Sequence, residues 1–144
     1  MTKILVIQGA GMNMRGRAQI EIFGTTTLDE INDAVRRYAD ELGVEVEIFH
    51  SNIEGEVVNA LYAAHDGDVD AAVINPSGYT TGTGPLLTAI TQVLFPVIEV
   101  HASNPSARGV VSNVQPVSRG LVYGFGVFGY YLALRGAKEL AEAG

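Results

Sequence analysis

The chain has 144 residues, of which 47% are hydrophobic and 17% charged, with a formal net charge of −7 and no cysteine. This length fits one compact domain, and the composition is too apolar for a disordered segment. The negative charge argues against nucleic acid and acidic membrane surfaces as partners, and the lack of thiols excludes disulfides and thiolate metal sites.

The first residues and the longest apolar run indicate where in the cell the protein lies. The chain enters an apolar, strand-like run at Ile4, which is too short for the core of a signal peptide. The run over residues 121–134 is interrupted by three glycines. It also stops short of the roughly 18 to 20 apolar residues of a membrane span. The sequence therefore predicts a cytoplasmic protein without a membrane partner.

Five short apolar runs alternate with longer helix-like segments along the chain. This alternation predicts an α/β fold in which a parallel sheet is covered by helices on both faces. The runs lack a clean apolar–polar alternation, as expected for strands that are buried on both sides. The strands are predicted over residues 3–8, 44–50, 70–75, 96–101 and 121–124.

The helical segments carry recognisable start signals. Thr27 and Glu30 have the spacing of a capping box, and apolar residues recur at helical spacing from Leu28 until Gly43 ends the helix. The other helices are predicted over residues 54–65, from Pro85 onward, and over residues 127–141.

The loops after the strands should form the binding site. In an open parallel sheet, ligands bind at the carboxyl ends of the strands, where the strand order reverses. The residue ranges predicted to meet there are 9–24, 75–84 and 101–108. The only long connection, residues 102–119, begins at this edge, and long loops in small domains are usually functional.

Two polar side chains at the end of the fourth strand suggest catalysis. Glu99 and His101 are two residues apart, so they leave the strand on the same face, and the carboxylate could orient the imidazole as a general acid or base. The alternative is a structural polar pair that ends a strand.

Other motifs give weaker or negative indications. Residues 75–84, rich in Gly and Thr, could bind an anion at a helix amino terminus, although such residues also make ordinary turns and caps. The run starting at Gly9 is not a dinucleotide fingerprint, because Met14 occupies the third glycine position. The three histidines are too scattered to predict a metal site.

Read in order, these segments resemble type II 3-dehydroquinases along essentially the whole chain. The resemblance rests on Thr25-Thr26-Thr27-Leu28, Ser51-Asn52 with Glu54-Gly55-Glu56, Ile74-Asn75-Pro76 with Tyr79-Thr80, Glu99-Val100-His101 with Ser103-Asn104, Ala107-Arg108, and Gly124-Phe125-Gly126 with Gly129-Tyr130. It implies a single flavodoxin-like, three-layer domain over residues 1–144 with a five-stranded parallel sheet. It also implies no cofactor or metal, and a homododecamer built from trimers.

The resemblance assigns roles in removing water from a cyclic β-hydroxyketone through an enolate. His101, oriented by Glu99, matches the general acid, and Asn13 matches the asparagine that holds a water against the enolate oxygen. The positions that match or border the family's substrate contacts are Asn75, Ala102, Ser103, Tyr79, Thr81 and Arg108.

Several positions depart from the family pattern. Phe23 stands where the family has its tyrosine base, and Ala18 where an arginine lowers the pKa of that tyrosine, although Arg17 could reach inward instead. The positions of a family histidine, an aspartate from a neighbouring subunit, an arginine and an asparagine are occupied here by Thr81, Thr88, Ser112 and Gly11.

The sequence therefore favours a diverged enzyme. We expect an acid–base lyase, dehydratase or isomerase that acts on a small cyclic substrate with a carboxylate or carbonyl group. The first alternative is an authentic 3-dehydroquinate dehydratase in which Tyr79, Arg17 or a water replaces the missing base. The second is a non-catalytic binding or scaffold homologue.

Overall fold

A computed structural model describes all residues, 1–144, and its centre is a five-stranded sheet in which every strand pair is parallel. The strand order is β2-β1-β3-β4-β5, the flavodoxin-like order. The strands are β1 (Lys3–Ala10), β2 (Glu45–His50), β3 (Ala71–Ser77), β4 (Val97–His101) and β5 (Gly120–Tyr123). The predicted fold class and all five strands are confirmed.

The structure has five α-helices. They are α1 (Ile20–Phe23), α2 (Leu28–Leu42), α3 (Glu54–Asp66), α4 (Pro85–Gln92) and α5 (Phe128–Ala143). The capping box of α2 is present, since the Thr27 hydroxyl accepts from the Glu30 amide and the Glu30 carboxylate accepts from the Thr27 amide. Gly43 ends that helix in the left-handed conformation, with φ of 69°. The single turn of α1 had no signal in the sequence.

The two faces of the sheet carry separate apolar cores. Helices α2 and α5 cover one face, where Val6, Val35 and Leu134 are fully buried. Helices α3 and α4 cover the other, where Ile7 and Leu61 are fully buried. This is the three-layer arrangement expected for strands that are apolar on both sides. None of the helices has the length and apolarity that a membrane span requires.

Strands β1 and β3 run further than the sequence indicates, and this extension shapes the site. Ala10 pairs with Ser77, beyond the predicted ends of both strands. The two backbones come very close at Gly9, where a Cβ atom would lie 2.1 Å from the Pro76 carbonyl oxygen. Ser77 has a φ of 48°, which is unusual for a residue with a side chain, and its amide donates to the Asn75 side chain.

Candidate active site

Two adjoining cavities lie at the carboxyl ends of β1, β3 and β4, beside the point where the strand order reverses. The inner cavity has a volume of about 180 Å³ and includes Asn75, Ala102 and Ser103 in its wall. The outer cavity has a volume of about 580 Å³ and opens to solvent between residues 10–23 and 77–81. The residues that line both cavities are Arg15, Phe23 and His101.

The predicted pair of Glu99 and His101 forms a hydrogen bond in the cavity wall. Glu99 Oε2 lies 2.6 Å from His101 Nε2, and the carboxylate is fully buried. Because Nε2 is engaged by the carboxylate, Nδ1 is the ring nitrogen left for a bound molecule. A buried carboxylate that orients an imidazole is the arrangement a general acid or base requires.

Two hydroxyl groups that the sequence analysis did not assign to this pair complete the contacts of Glu99. Ser112 donates to Oε2 over 2.6 Å, and Tyr123 donates to Oε1 over 2.9 Å. Burial and the charge of Glu99 raise the pKa of Tyr123, so its hydroxyl stays a donor. Donors on both carboxylate oxygens offset the cost of burying this charge.

Strand register explains how Tyr123 reaches the pair. Tyr123 lies opposite His101 in the β4–β5 pairing, so the two side chains share one face of the sheet. The tyrosine ring packs edge-on against the imidazole, with 4.8 Å between the ring centroids. The sequence did not indicate this contact; it placed Tyr123 only within the predicted strand over residues 121–124. Ser112, which the sequence identified only as a departure from the family, holds Glu99 through its hydroxyl.

A second buried network holds Asn75. Its side-chain nitrogen donates to the Tyr130 hydroxyl over 3.0 Å, and Tyr130 donates to Gln8 Oε1 over 2.7 Å. Gln8 pairs directly with Asn75 in the sheet and donates onward to Asn32 of α2. Burial raises the pKa of Tyr130 to about 12, although Asn75 and Gln8 partly oppose this effect. The network fixes the amide of Asn75 in the wall of the inner cavity.

Phe23 lies against two guanidinium groups. Cζ of Arg15 is 3.7 Å from the ring centroid, and Cζ of Arg108 is 5.4 Å from it. Arg15 also donates to Ser77 Oγ over 3.2 Å, and Arg108 donates to Ser103 Oγ over 3.0 Å. Burial lowers the pKa of Arg15, and the neighbouring charge of Arg108 lowers it further.

Most of the predicted site residues meet at these cavities. The inner cavity contains Phe23, Asn75, His101, Ala102 and Ser103, and the outer cavity contains Thr81 and Arg108. This agrees with the expectation that the three strand-end segments converge. The roles that the family resemblance implies for these residues stay predictions.

Four predicted residues line neither cavity; one is Glu99, which is fully buried behind His101, and the other three lie elsewhere. Asn13 is exposed, and its side-chain oxygen accepts from Asn52. Arg17 is exposed, and the loop turns Arg15 inward in its place. The Tyr79 hydroxyl donates to the Ser51 carbonyl over 3.0 Å, with the ring against the core under α3 and α4. Asn13 and Tyr79 therefore have hydrogen-bond partners outside the cavities.

The remaining lining residues were not predicted. Arg15 is the most consequential, and the sequence marks it only as one of two nearby cations in a loop. The apolar or uncharged contributors to the inner cavity are Met12, Thr26, Ile31, Gly126, Val127 and Tyr130. No group of three or more His, Asp or Glu side chains is placed to hold a metal ion.

Comparison with known proteins agrees with this fold. The family model described as "Dehydroquinase class II" matches residues 2–138. The chain is 40% identical over 143 residues to a 3-dehydroquinate dehydratase from Campylobacter hominis, covering 97% of this chain and 92% of that protein. It is 40% identical over 147 residues to a 3-dehydroquinate dehydratase from Pelobacter propionicus, covering 100% and 99%. The crystal structure of a type II dehydroquinase from Butyrivibrio crossotus superposes with a TM-score of 0.90 at 30% identity, covering 95% of this chain and 97% of that one.

Proposed function

Since the chain belongs to the dehydroquinase class II family, we propose that it is a diverged acid–base lyase, dehydratase or isomerase of that family. Its substrate is a small cyclic molecule with a carboxylate or carbonyl group, and its reaction passes through an enol or enolate. The observation that carries the proposal is the 2.6 Å contact of His101 with the buried Glu99 in the wall of a cavity that also holds Phe23.

His101 supplies the proton in this proposal. For a dehydration, the carbon–oxygen bond breaks and the departing hydroxyl takes a proton from the imidazolium, so that water leaves. A base removes a proton from the neighbouring carbon to give the enolate. For an isomerisation, the imidazole moves a proton between two atoms of the substrate. Proton transfer of this kind contributes about 10² to 10⁴ in rate, and it requires no cofactor.

Phe23 supports the idea that the reaction differs from that of the 3-dehydroquinate dehydratases. The family resemblance puts a tyrosine base at this position, and a phenylalanine ring cannot take a proton. Thr81 in the outer cavity also replaces a family histidine with a side chain that has no charge. A site with fewer charged or titratable groups suits a substrate with fewer hydroxyl groups, because unmatched buried polar groups are costly.

The test is an ultraviolet assay for the conjugated enone that dehydration of 3-dehydroquinate produces. We expect turnover at least about 10²-fold below a typical kcat of about 10 s⁻¹. Phe23→Tyr should increase it, because Arg15 and Arg108 would favour the phenolate that acts as the base. Turnover of the unmodified protein at ordinary enzyme rates would reject divergence.

A metabolite screen extends this test to other substrates. His101→Ala should abolish any reaction that the screen detects, whereas His65→Ala, which changes a histidine near the surface of α3, should not. If His101→Ala left the turnover unchanged, the acid–base role would be wrong. If no metabolite reacted, a non-catalytic binding protein would be the better description.

The second candidate is 3-dehydroquinate dehydratase itself, and the 40% identity to such enzymes over nearly the whole chain favours it. It needs another base. The Tyr79 hydroxyl is bonded to Ser51, and Arg17 is exposed, so a water in the cavity is the remaining option. The same ultraviolet assay separates the two candidates.

A further inference from the structure

We propose that Arg15 and Arg108 form a subsite for a second anionic group, so that the substrate is a small dicarboxylate. This inference rests on the proposed function for the position of the reacting end, and it adds the charge class of the substrate. The first carboxylate lies near His101, Ala102 and Ser103, and the second carboxylate binds the two guanidinium groups.

The two arginines have no acidic partner. Neither takes part in an ion pair, although seven such pairs occur elsewhere in the protein. No Asp or Glu lines either cavity, in a protein whose net charge is −7. Arg15 is partly buried and Arg108 is exposed. Guanidinium groups in a concave site without a counterion are the arrangement expected for binding an anion.

The positions of the guanidinium groups leave their donors free. Each arginine has five N–H donors. Arg15 uses one on Ser77 and Arg108 uses one on Ser103. The ring of Phe23 attracts both cations. Unlike a carboxylate, it does not take up their N–H donors. The remaining N–H groups can therefore bind a carboxylate with two parallel hydrogen bonds.

The effect of the Arg108 charge on Arg15 also favours a bound anion. The positive charge of Arg108 disfavours the charged form of Arg15, in addition to the effect of burial. Two like charges held close together destabilise each other, and an anion bound between them removes this repulsion. Since Arg15 lines both cavities, an anion bound there also borders the cavity that contains His101. One small molecule can therefore reach both sites.

The experiment compares a monoanion with matched dianions by titration calorimetry. The probes are benzoate and the three benzenedicarboxylate isomers, each titrated into the unmodified protein and into Arg15→Met and Arg108→Met. We expect at least one isomer to bind about tenfold more tightly than benzoate, which is about 1.4 kcal/mol. Either substitution should remove most of this preference and change benzoate affinity less than about twofold.

Two further substitutions serve as controls. Arg17→Met removes a cation from the same loop, and Arg37→Met removes one from α2; both side chains are exposed. Both should keep the preference for the dicarboxylate. The inference is overturned if no isomer binds more tightly than benzoate, or if Arg17→Met reduces the preference as much as Arg15→Met does.

His101→Ala separates this inference from the proposed function. The substitution removes the proposed proton donor and leaves both arginines in place. A dicarboxylate preference that persists in this variant supports the subsite independently of turnover. If the unmodified protein showed that preference but catalysed no reaction, the proposed catalysis would fail and the subsite would stand.

Discussion

The Glu99 carboxylate accepts hydrogen bonds from His101, Ser112 and Tyr123, so each of its oxygens has a donor. This arrangement fixes the imidazole before any substrate arrives. Preorganised groups of this kind lower a reaction barrier without a rearrangement during the reaction. Ser112 and Tyr123 act through Glu99 and are therefore positioning residues.

Tyr130 makes the free energy of unfolding depend on pH in the alkaline range. Its folded pKa, about 12, lies above the value of about 10 for an exposed tyrosine. The folded state therefore holds this proton more tightly than the unfolded state does. The resulting stabilisation is fully present below pH 10 and is lost as the pH rises towards 12. Its size is about 2 to 3 kcal/mol.

The check is the free energy of unfolding from urea titrations between pH 8 and about 11.5. Tyr130→Phe should make the loss of stability above pH 10 less steep, and the part due to Tyr123, whose pKa is also raised, should remain. At pH 8 it should cost about 1 to 3 kcal/mol, because Gln8 and Asn75 lose their shared partner. Tyr62→Phe, which removes a hydroxyl near the surface, controls for the change of residue type. An unchanged slope in Tyr130→Phe would contradict the assignment.

At the scale of elements, the close approach of β1 and β3 holds the site together. A Cβ atom at Gly9 would lie 2.1 Å from the oxygen and 2.6 Å from the carbon of the Pro76 carbonyl. No real contact is that short, so a larger residue must push the strands apart. Asn75 and Ser77 flank Pro76, and both contribute side chains to the cavities.

Gly9→Ala should therefore damage both stability and ligand binding. We expect a loss of about 2 kcal/mol or more in the free energy of unfolding, which is typical of an overpacked core position. Gly136→Ala is the matched control, because a Cβ atom there meets nothing within 4 Å. It should leave the protein as stable or more stable, since alanine in a helix is favoured over glycine by about 0.5 to 1 kcal/mol. Denaturant titration measures the free energy of unfolding of both variants. Equal stabilities of the two variants would show that the strands can separate at little cost.

The whole molecule shows which parts of a fold a sequence can predict. Buried parallel strands read as apolar runs, and the capping box at Thr27 marks the start of α2, so these elements were found. Because parallel strands end at one edge, Asn75 and His101 could be placed together. The loop over residues 11–24 could not be predicted in this way. Arg15 rather than Arg17 points into the cavities because it contacts Ser77 and Phe23. Such contacts join distant parts of the chain and have no local pattern.

The assembly is a prediction at the same scale. Leu94 is 88% exposed and Phe125 59% exposed in the single chain, and large apolar side chains at a surface often mark contacts between subunits. We expect the trimer-based homododecamer of the family, with a mass of about 184 kDa, twelve times the 15.3 kDa of one chain. Native mass spectrometry or light scattering measures this directly. A mass of one chain at micromolar concentration would contradict it.

The hydroxyl groups that bind Glu99 also affect the order in which the chain can fold. Ser112 and Tyr123 follow Glu99 by 13 and 24 residues, so a growing chain contains the carboxylate before it contains these two partners. Until β5 pairs with β4, closing the sheet around Glu99 would bury a charge without the hydrogen bond from Tyr123. The edge of the sheet that carries Glu99 and His101 therefore gains all its hydrogen bonds only after the segment with Ser112 and Tyr123 has been made.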